Sequence, residues 1–205
     1  MKTFNKLLKP SSLINLLVLF FLGLSFGNAQ VLDINATDSN KPETELPPEI
    51  LWDVKAYLPE AKLLKIKAID KDGNLYAVKA IQSFDDTSIL DIKAIVDGEH
   101  LPIKLIVKGN DVYYGLKAIN KVGTLLDIKA ITKDGELLSV KGTVASGNIV
   151  QIRAIGNDGS LYNVFAISPK GQVNDVKGVK MLKSNVETIL NGVSVFAHVK
   201  ALRQN

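Results

Sequence analysis

Lysine recurs along this chain at a nearly fixed interval. Counting each Lys or the residue that replaces it, the markers fall at Lys55, Lys67, Lys79, Lys93, Lys104, Lys117, Lys129, Lys141, Arg153, Phe165, Lys177 and Lys200. Most steps are twelve residues, and those into Lys93, Lys104 and Lys117 are fourteen, eleven and thirteen. Evenly spaced ammonium groups suit evenly spaced carboxylates or sulfates, so the chemistry they point to is the binding of an acidic polysaccharide or an acidic cell-surface component. Lys67, Lys93, Lys117, Lys129 and Arg153 are the expected contacts. The commoner use of such a pattern is plain solvation, with Lys stems masking flanking Ile and charge discouraging edge pairing. Asp53, Asp91, Asp127 and Asp175 each stand two residues before a marker, so part of the charge is expected to be neutralised locally.

Aromatic residues are the other candidates for sugar contact. Trp52, Tyr76, Tyr114 and Tyr162 stand three residues before a marker, in a slot otherwise held by core residues such as Leu126. Core packing is the expected role of that slot. Trp52 belongs to the first copy, where partial cover is expected, and is kept as a stacking candidate beside Tyr57 and Tyr113, which fall on the Lys face.

Catalytic signatures are sparse. There is no Cys, which excludes thiol chemistry and thiolate metal sites, and the two His, His100 and His198, lie far apart without a metal-ligand spacing. No Gly-x-Ser-x-Gly elbow or phosphate-cradling loop occurs, and no cofactor is implied. Asp70-Lys71-Asp72-Gly73 has its Gly too early for an EF-hand loop and reads as a turn. The expectation is a non-enzymatic protein. A polysaccharide hydrolase or lyase would need the loop residues Asp85, Asp86, Glu99 and His100 to converge in one cleft.

These side chains ride on short strands. In Leu125–Ile131, Leu126, Ile128 and Ala130 share one face, while Leu125, Asp127, Lys129 and Ile131 share the other, the period of a half-buried strand. Asp72-Gly73, Asp97-Gly98, Asp134-Gly135, Asp158-Gly159 and Asn191-Gly192 are tight-turn signals. Short turns join antiparallel neighbours, which predicts an all-β antiparallel meander of about twelve strands, closed as a barrel or folded as stacked sheets. A parallel β-solenoid is the rival. It would stack like charges about 4.8 Å apart, whereas a meander is expected to send successive Lys to opposite strand ends, about 9–10 Å from the next on the same end. A threefold arrangement is disfavoured because no forty-residue super-repeat is visible. Val193–Val199 reads as a last strand that closes the array. Open sheet ends would instead favour an assembly or spacer role through self-association.

The N-terminus belongs to a different class. Lys2, Lys6 and Lys9 precede an apolar run, Leu16 to Phe26, and small residues lead to Ala29, the pattern of a cleaved signal peptide over 1–29. Export to the periplasm, cell surface or medium follows. Residues 30–50 read as an acidic, Pro-rich linker and 51–205 as the repeat domain. The whole chain carries 25 basic and 21 acidic residues. Residues 1–29 hold three Lys and no acid, leaving 22 basic against 21 acidic in the mature chain. That near-neutral balance gives no reason to expect a nucleic-acid partner.

Overall fold

The computed structural model describes residues 48–58, 62–180 and 188–204, all within one compact unit, Glu45–Asn205. The expected signal peptide lies outside the described residues, as does the expected linker up to residue 47. Among the described residues the chain forms strands and no helix. They are β1 (Ile50–Leu58), β2 (Lys62–Ile69), β3 (Leu75–Gln82), β4 (Ile89–Val96), β5 (Glu99–Ile106), β6 (Tyr114–Ile119), β7 (Leu125–Ile131), β8 (Leu137–Ser146), β9 (Ile149–Ile155), β10 (Leu161–Ile167), β11 (Val173–Val179), β12 (Thr188–Leu190) and β13 (Val193–Arg203).

Every described pairing is antiparallel, which removes the solenoid, and β1 to β10 each pair with the next strand, as a meander requires. The turns are those the Gly residues demand. Gly73, Gly135, Gly159 and Gly171 sit at φ of 83 to 87°, and the Asp97-Gly98 and Asn191-Gly192 turns hold both residues at positive φ. Asp70 caps its turn by accepting from the Asp72 and Asn74 amides at 2.9 Å and from the Tyr76 hydroxyl at 2.9 Å. Those bonds, led by one from the Asn74 side chain, hold its carboxyl down at about 2.

The closure is neither a barrel nor a pair of stacked sheets. Strands β1, β2 and β3 pair with one another in a triangle. β1 gives Ile50–Asp53 to β3 and Lys55–Leu58 to β2, and β2 gives Lys67–Ile69 to β3. The same mutual pairing joins β4, β5 and β13, then β6, β7 and β8, then β9, β10 and β11. Six further pairings connect the four triangles, one for each pair of triangles: β3–β4, β2–β7, β1–β10, β5–β6, β11–β13 and β8–β9. That connectivity is the graph of a truncated tetrahedron, in which twelve equivalent strands each meet three others. Local threefold relations therefore exist, contrary to the expectation from the missing super-repeat, because they relate single twelve-residue units rather than groups of units.

In each strand one edge serves one partner and the other edge changes partner at a single residue. That residue always precedes the marker: Val54, Ile66 and Val78 in the first triangle, and Ile92, Ile103 and Val199 in the second. All six are at most 4% exposed. The marker then stands beside the gap where three strands part, on the outer face. Lys55, Lys79, Lys117 and Lys177 keep only 17 to 27% of their side chains exposed, so their stems lie along the sheet and their amines reach water.

The alternation of faces holds as read. Leu126, Ile128 and Ala130 are buried, and the marker +1 slot (Ala56, Ala68, Ala80, Ala94, Ala118, Ala130, Ala154, Ala166 and Ala201) is 0% exposed throughout. Leu105 breaks this small-residue rule, and Gly142 and Gly178 compensate for it. A Cβ on Gly142 would lie 2.9 Å from both Leu105 methyls, and one on Gly178 would overlap Leu105 Cδ1. A Gly178→Ala substitution is therefore expected to cost about 1–3 kcal/mol by overpacking, and Leu105→Ala about 2–5 kcal/mol by cavity formation. In a urea-denaturation double-mutant cycle the pair should cost clearly less than the sum of the two single costs. Additive costs would show that the three residues do not share one space.

Candidate functional site

The register places the markers differently from the charge argument made on sequence. Lys79 faces Lys93, Lys67 faces Lys129, Lys104 faces Lys117, Lys141 faces Arg153 and Lys177 faces Lys200, each pair directly opposite across a connection between triangles. Like charges so placed are destabilising unless their heads part, and they do part. Lys79 reaches Asp53 at 2.5 Å in its own triangle, Lys117 reaches Asp127, Lys177 reaches Asp175 at 3.3 Å, and Lys200 reaches Asp91. Each triangle carries one such Asp, so the expected local neutralisation is present. It is incomplete, because one such carboxylate serves the two or three basic markers of each triangle, although Lys141 also reaches Asp111 at 3.4 Å.

The eight contact residues singled out from sequence do not form one site. Lys67 stands on β2 and Lys129 on β7, where Lys129 donates to Ser139 Oγ at 3.2 Å. Lys117 on β6 is held by Asp127, and Arg153 on β9 donates to the Ile152 carbonyl at 3.2 Å. Tyr57 is exposed on β1, and Tyr113 is half-buried before β6. Trp52 has to be reassigned. It is 0% exposed, because β1 is enclosed by β2, β3 and β10 rather than left at an array end, and it cannot stack on a ligand. Its indole Nε1 donates to Gln82 Oε1 at 2.8 Å, and Gln82 Nε2 donates to the Phe84 carbonyl at 3.0 Å. Trp52 thus anchors the loop 83–88.

Two surface features gather these groups. The first is a groove of about 560 Å³ along β2 and β7, lined by Lys62, Leu63, Leu64, Lys65, Ile131, Thr132, Lys133 and Gly135. Its described lining holds three Lys and no carboxylate, and it adjoins the Lys67–Lys129 pair through the same strand register. Among the described residues Lys67 makes no ion pair.

The second is a cleft of about 350 Å³ beside the β4–β5–β13 triangle, lined by Glu49, Ile81, Ser83, Phe84, Asp86, Ile89, Leu90, Asp91, Lys93, His100 and Lys200. Of the four residues a hydrolase would bring together, Asp86 and His100 are here, with Glu49 Oε2 at 3.6 Å from His100 Nδ1. Asp85 lines an adjoining hollow, and Glu99 lies outside the cleft and pairs with Lys121 at 2.6 Å. The loop that walls the cleft is pinned three ways besides Gln82. Buried Asn174 donates to the Thr87 carbonyl at 2.7 Å, the Arg203 amide to Ser88 O at 2.9 Å, and the Ser88 amide to Asp86 Oδ1 at 2.8 Å. It presents Phe84, 71% exposed, near Ile89, 61% exposed.

Electrostatically this triangle is the unusual one. Lys104 Nζ lies 2.6 Å from His198 Nδ1, with Lys93 and Lys200 on the neighbouring strands. Burial, then the charges of Lys93 and Lys200, push the Lys104 amine down to about 8. Burial and the same Lys cluster, Lys104 foremost, hold the His198 imidazole below its usual range. Burial alone would raise Asp91, but its bond to Lys200 and the charges of Lys93 and Lys104 keep it low. Sequence reading missed Lys104, Lys200 and His198 as a group, since the strands that carry them are almost a hundred residues apart.

No curated protein and no solved structure matches the chain. A family model described as a family of unknown function (DUF7486) matches residues 48–202.

The unfolded chain sheds the Lys104 proton near 10.5 and the folded domain near 8. Between those values the unfolded state holds more protons, so this group's contribution to stability improves as pH rises and its full cost is felt below about 8. Lys104→Met removes the cost. Its urea midpoint should exceed that of the wild type at pH 7, and the gap should narrow by pH 10. A gap that stays constant with pH would place the Lys104 amine at an ordinary value.

Proposed function

We propose that this chain, which belongs to the DUF7486 family of unknown function, is exported and acts as a non-enzymatic module that binds an acidic polysaccharide. The observation that carries the reading is the β2–β7 groove. Lys62, Lys65 and Lys133 line it, and Lys67 and Lys129 face each other beside it, where the carboxylates that quench other markers are missing from the lining. Leu63, 51% exposed, adds an apolar patch for the hydrophobic face of a sugar ring. A polyanion laid along the two strands meets amines spaced by the strand rise, and each contact gains by releasing bound counterions from the polymer.

A second reading has one observation behind it. Asp86, His100, Glu49 and Asp91 share a cleft, which suits acid and base roles in cleaving a polysaccharide. Incubation with acidic polysaccharides followed by reducing-end assay decides it, since a hydrolase or lyase creates new ends and a binding module does not.

For the binding reading, affinity electrophoresis through gels containing polyuronate should retard the domain at low ionic strength and release it as salt approaches a few tenths molar, where the screening length falls below about 8 Å. Replacing Lys67 and Lys129 together by Gln should weaken binding by roughly five- to thirtyfold, at about 0.5–1 kcal/mol per exposed ionic contact. Equal mobility with and without polymer at low salt would end this reading.

A further inference from the structure

We propose that the cleft beside the β4–β5–β13 triangle binds a single anionic sugar residue, and that binding draws a proton onto the Lys104–His198 pair. The inference shares its ligand class with the polysaccharide reading, on which it rests to that extent, but it concerns a different surface and a different chemistry.

The cleft offers the two halves of such a site. Phe84, 71% exposed, supplies a ring face on a loop whose backbone is bonded to Gln82, Asn174 and Arg203. Lys93 and Lys200 supply the charge. Lys200 is already answered by Asp91, but Lys93 makes no ion pair among the described residues, and Lys79, its partner across the strands, has turned away to Asp53. A carboxylate or sulfate seated at Lys93 and Lys200 therefore meets two amines, with Asp91 bonded to one of them; Glu49 and Asp86, also on the lining, are engaged by His100 and by the Ser88 amide.

The proton follows from what surrounds Lys104. From β4 it faces Lys93 and Asp91, from β13 His198 and Lys200, and from β6 Lys117, which Asp127 on β7 engages. Two hydrogen-bond donors cannot face each other at 2.6 Å, so one of the two nitrogens must accept, and a protonated Lys104 and a protonated His198 exclude one another across this contact. The Lys104 amine is kept near 8 first by burial and then by the charges of Lys93 and Lys200, which Asp91 offsets in part. An anion on those two Lys cancels that charge, and the displaced proton returns. The complex then holds more protons than the free domain from about pH 8 upward, so affinity rises as pH falls through that window and levels off below it.

The test is titration calorimetry of the whole chain with a uronic-acid trisaccharide, in buffers of different ionisation enthalpy at pH 8.5. A trisaccharide sulfated in place of its carboxylates and one reduced to the neutral alcohol serve as comparison probes. Both charged probes should bind with net proton uptake, and the neutral one should bind weakly or not at all. Affinity should fall about tenfold at high pH for each unit by which binding raises the Lys104 pKa. Lys104→Met should bind without uptake at pH 8.5 and with a flat profile above pH 8. Phe84→Ala should lose affinity several-fold while keeping the uptake. Binding with no proton uptake, or with the same uptake in Lys104→Met, overturns the inference. If polyuronate is retained by the domain and the charged trisaccharides are not bound, the cleft falls and the groove stands. If neither binds, both fall.

Discussion

The structure depends on the way each strand divides one of its edges between two partners. A single edge of β1 pairs with β3 up to Asp53 and with β2 from Lys55, and the point of division is Val54. Repeating that division twelve times leaves none of the repeat strands with a free edge, and only the three-residue β12 has a single partner among the described strands. An antiparallel sheet normally has to protect its edges with charge, bulges or cover. Here each edge of the twelve repeat strands is satisfied by another copy of the same unit. The interior is filled by side chains, with Trp52, Ile103, Leu105 and Ile152 among the largest fully buried groups. The shell therefore encloses a packed core and not a lumen, and ligands have to be met on its outside.

That division also explains the unit's sequence. The dividing residue fills the gap from within, so it must be apolar and shaped for a strand, and it is Ile or Val in all but one copy, where Leu116 stands. The next residue covers the gap from outside, which asks for a long apolar stem with a polar end, and Lys meets both needs. The residue after it packs against the dividing residue of the facing strand, as Val78 opposes Ala94 and Ala80 opposes Ile92, so it has to be small. Ile-Lys-Ala is thus an architectural motif first. Its charge goes without a carboxylate in the described lining of the groove along β2 and β7.

Much of this was legible before the structure. The twelve-residue period, the two faces, the turns at Asp-Gly and Asn-Gly and the closing role of the last strand are local properties, and local sequence encodes them. The face-to-face Lys pairs were not legible, because register across a connection depends on how the whole shell closes and not on any one hairpin. Trp52 was misplaced for the same reason: an array end exposes its first strand, and a closed shell has no end. The cleft left one trace in the sequence. The step into Lys93 is fourteen residues instead of twelve, and the extra length is the loop 83–88 that carries Phe84 and Asp86. In a protein built of near-identical units, departures from the period mark where one copy has been given something the others lack.

The β4–β5–β13 triangle gathers several such departures. Its strands follow the fourteen-residue step, the eleven-residue step and the long excursion after Lys177. The other three triangles are each made of consecutive strands, so their contacts are close in sequence and cheap in loop entropy. This one needs β13 to return across almost a hundred residues to β4 and β5. Lys93, Lys104, His198 and Lys200 are consequently brought together only when the shell is complete. Their mutual repulsion works against the closure that assembles them, and Asp91, the one carboxylate in the group, offsets part of it through Lys200. The remainder is borne by the hydrophobic gain of sealing Ile92, Ile103 and Val199 at the triangle's centre. A charged cluster placed at the last seam of a closed sheet is strained by construction, and the same strain makes it responsive to an anion arriving from outside.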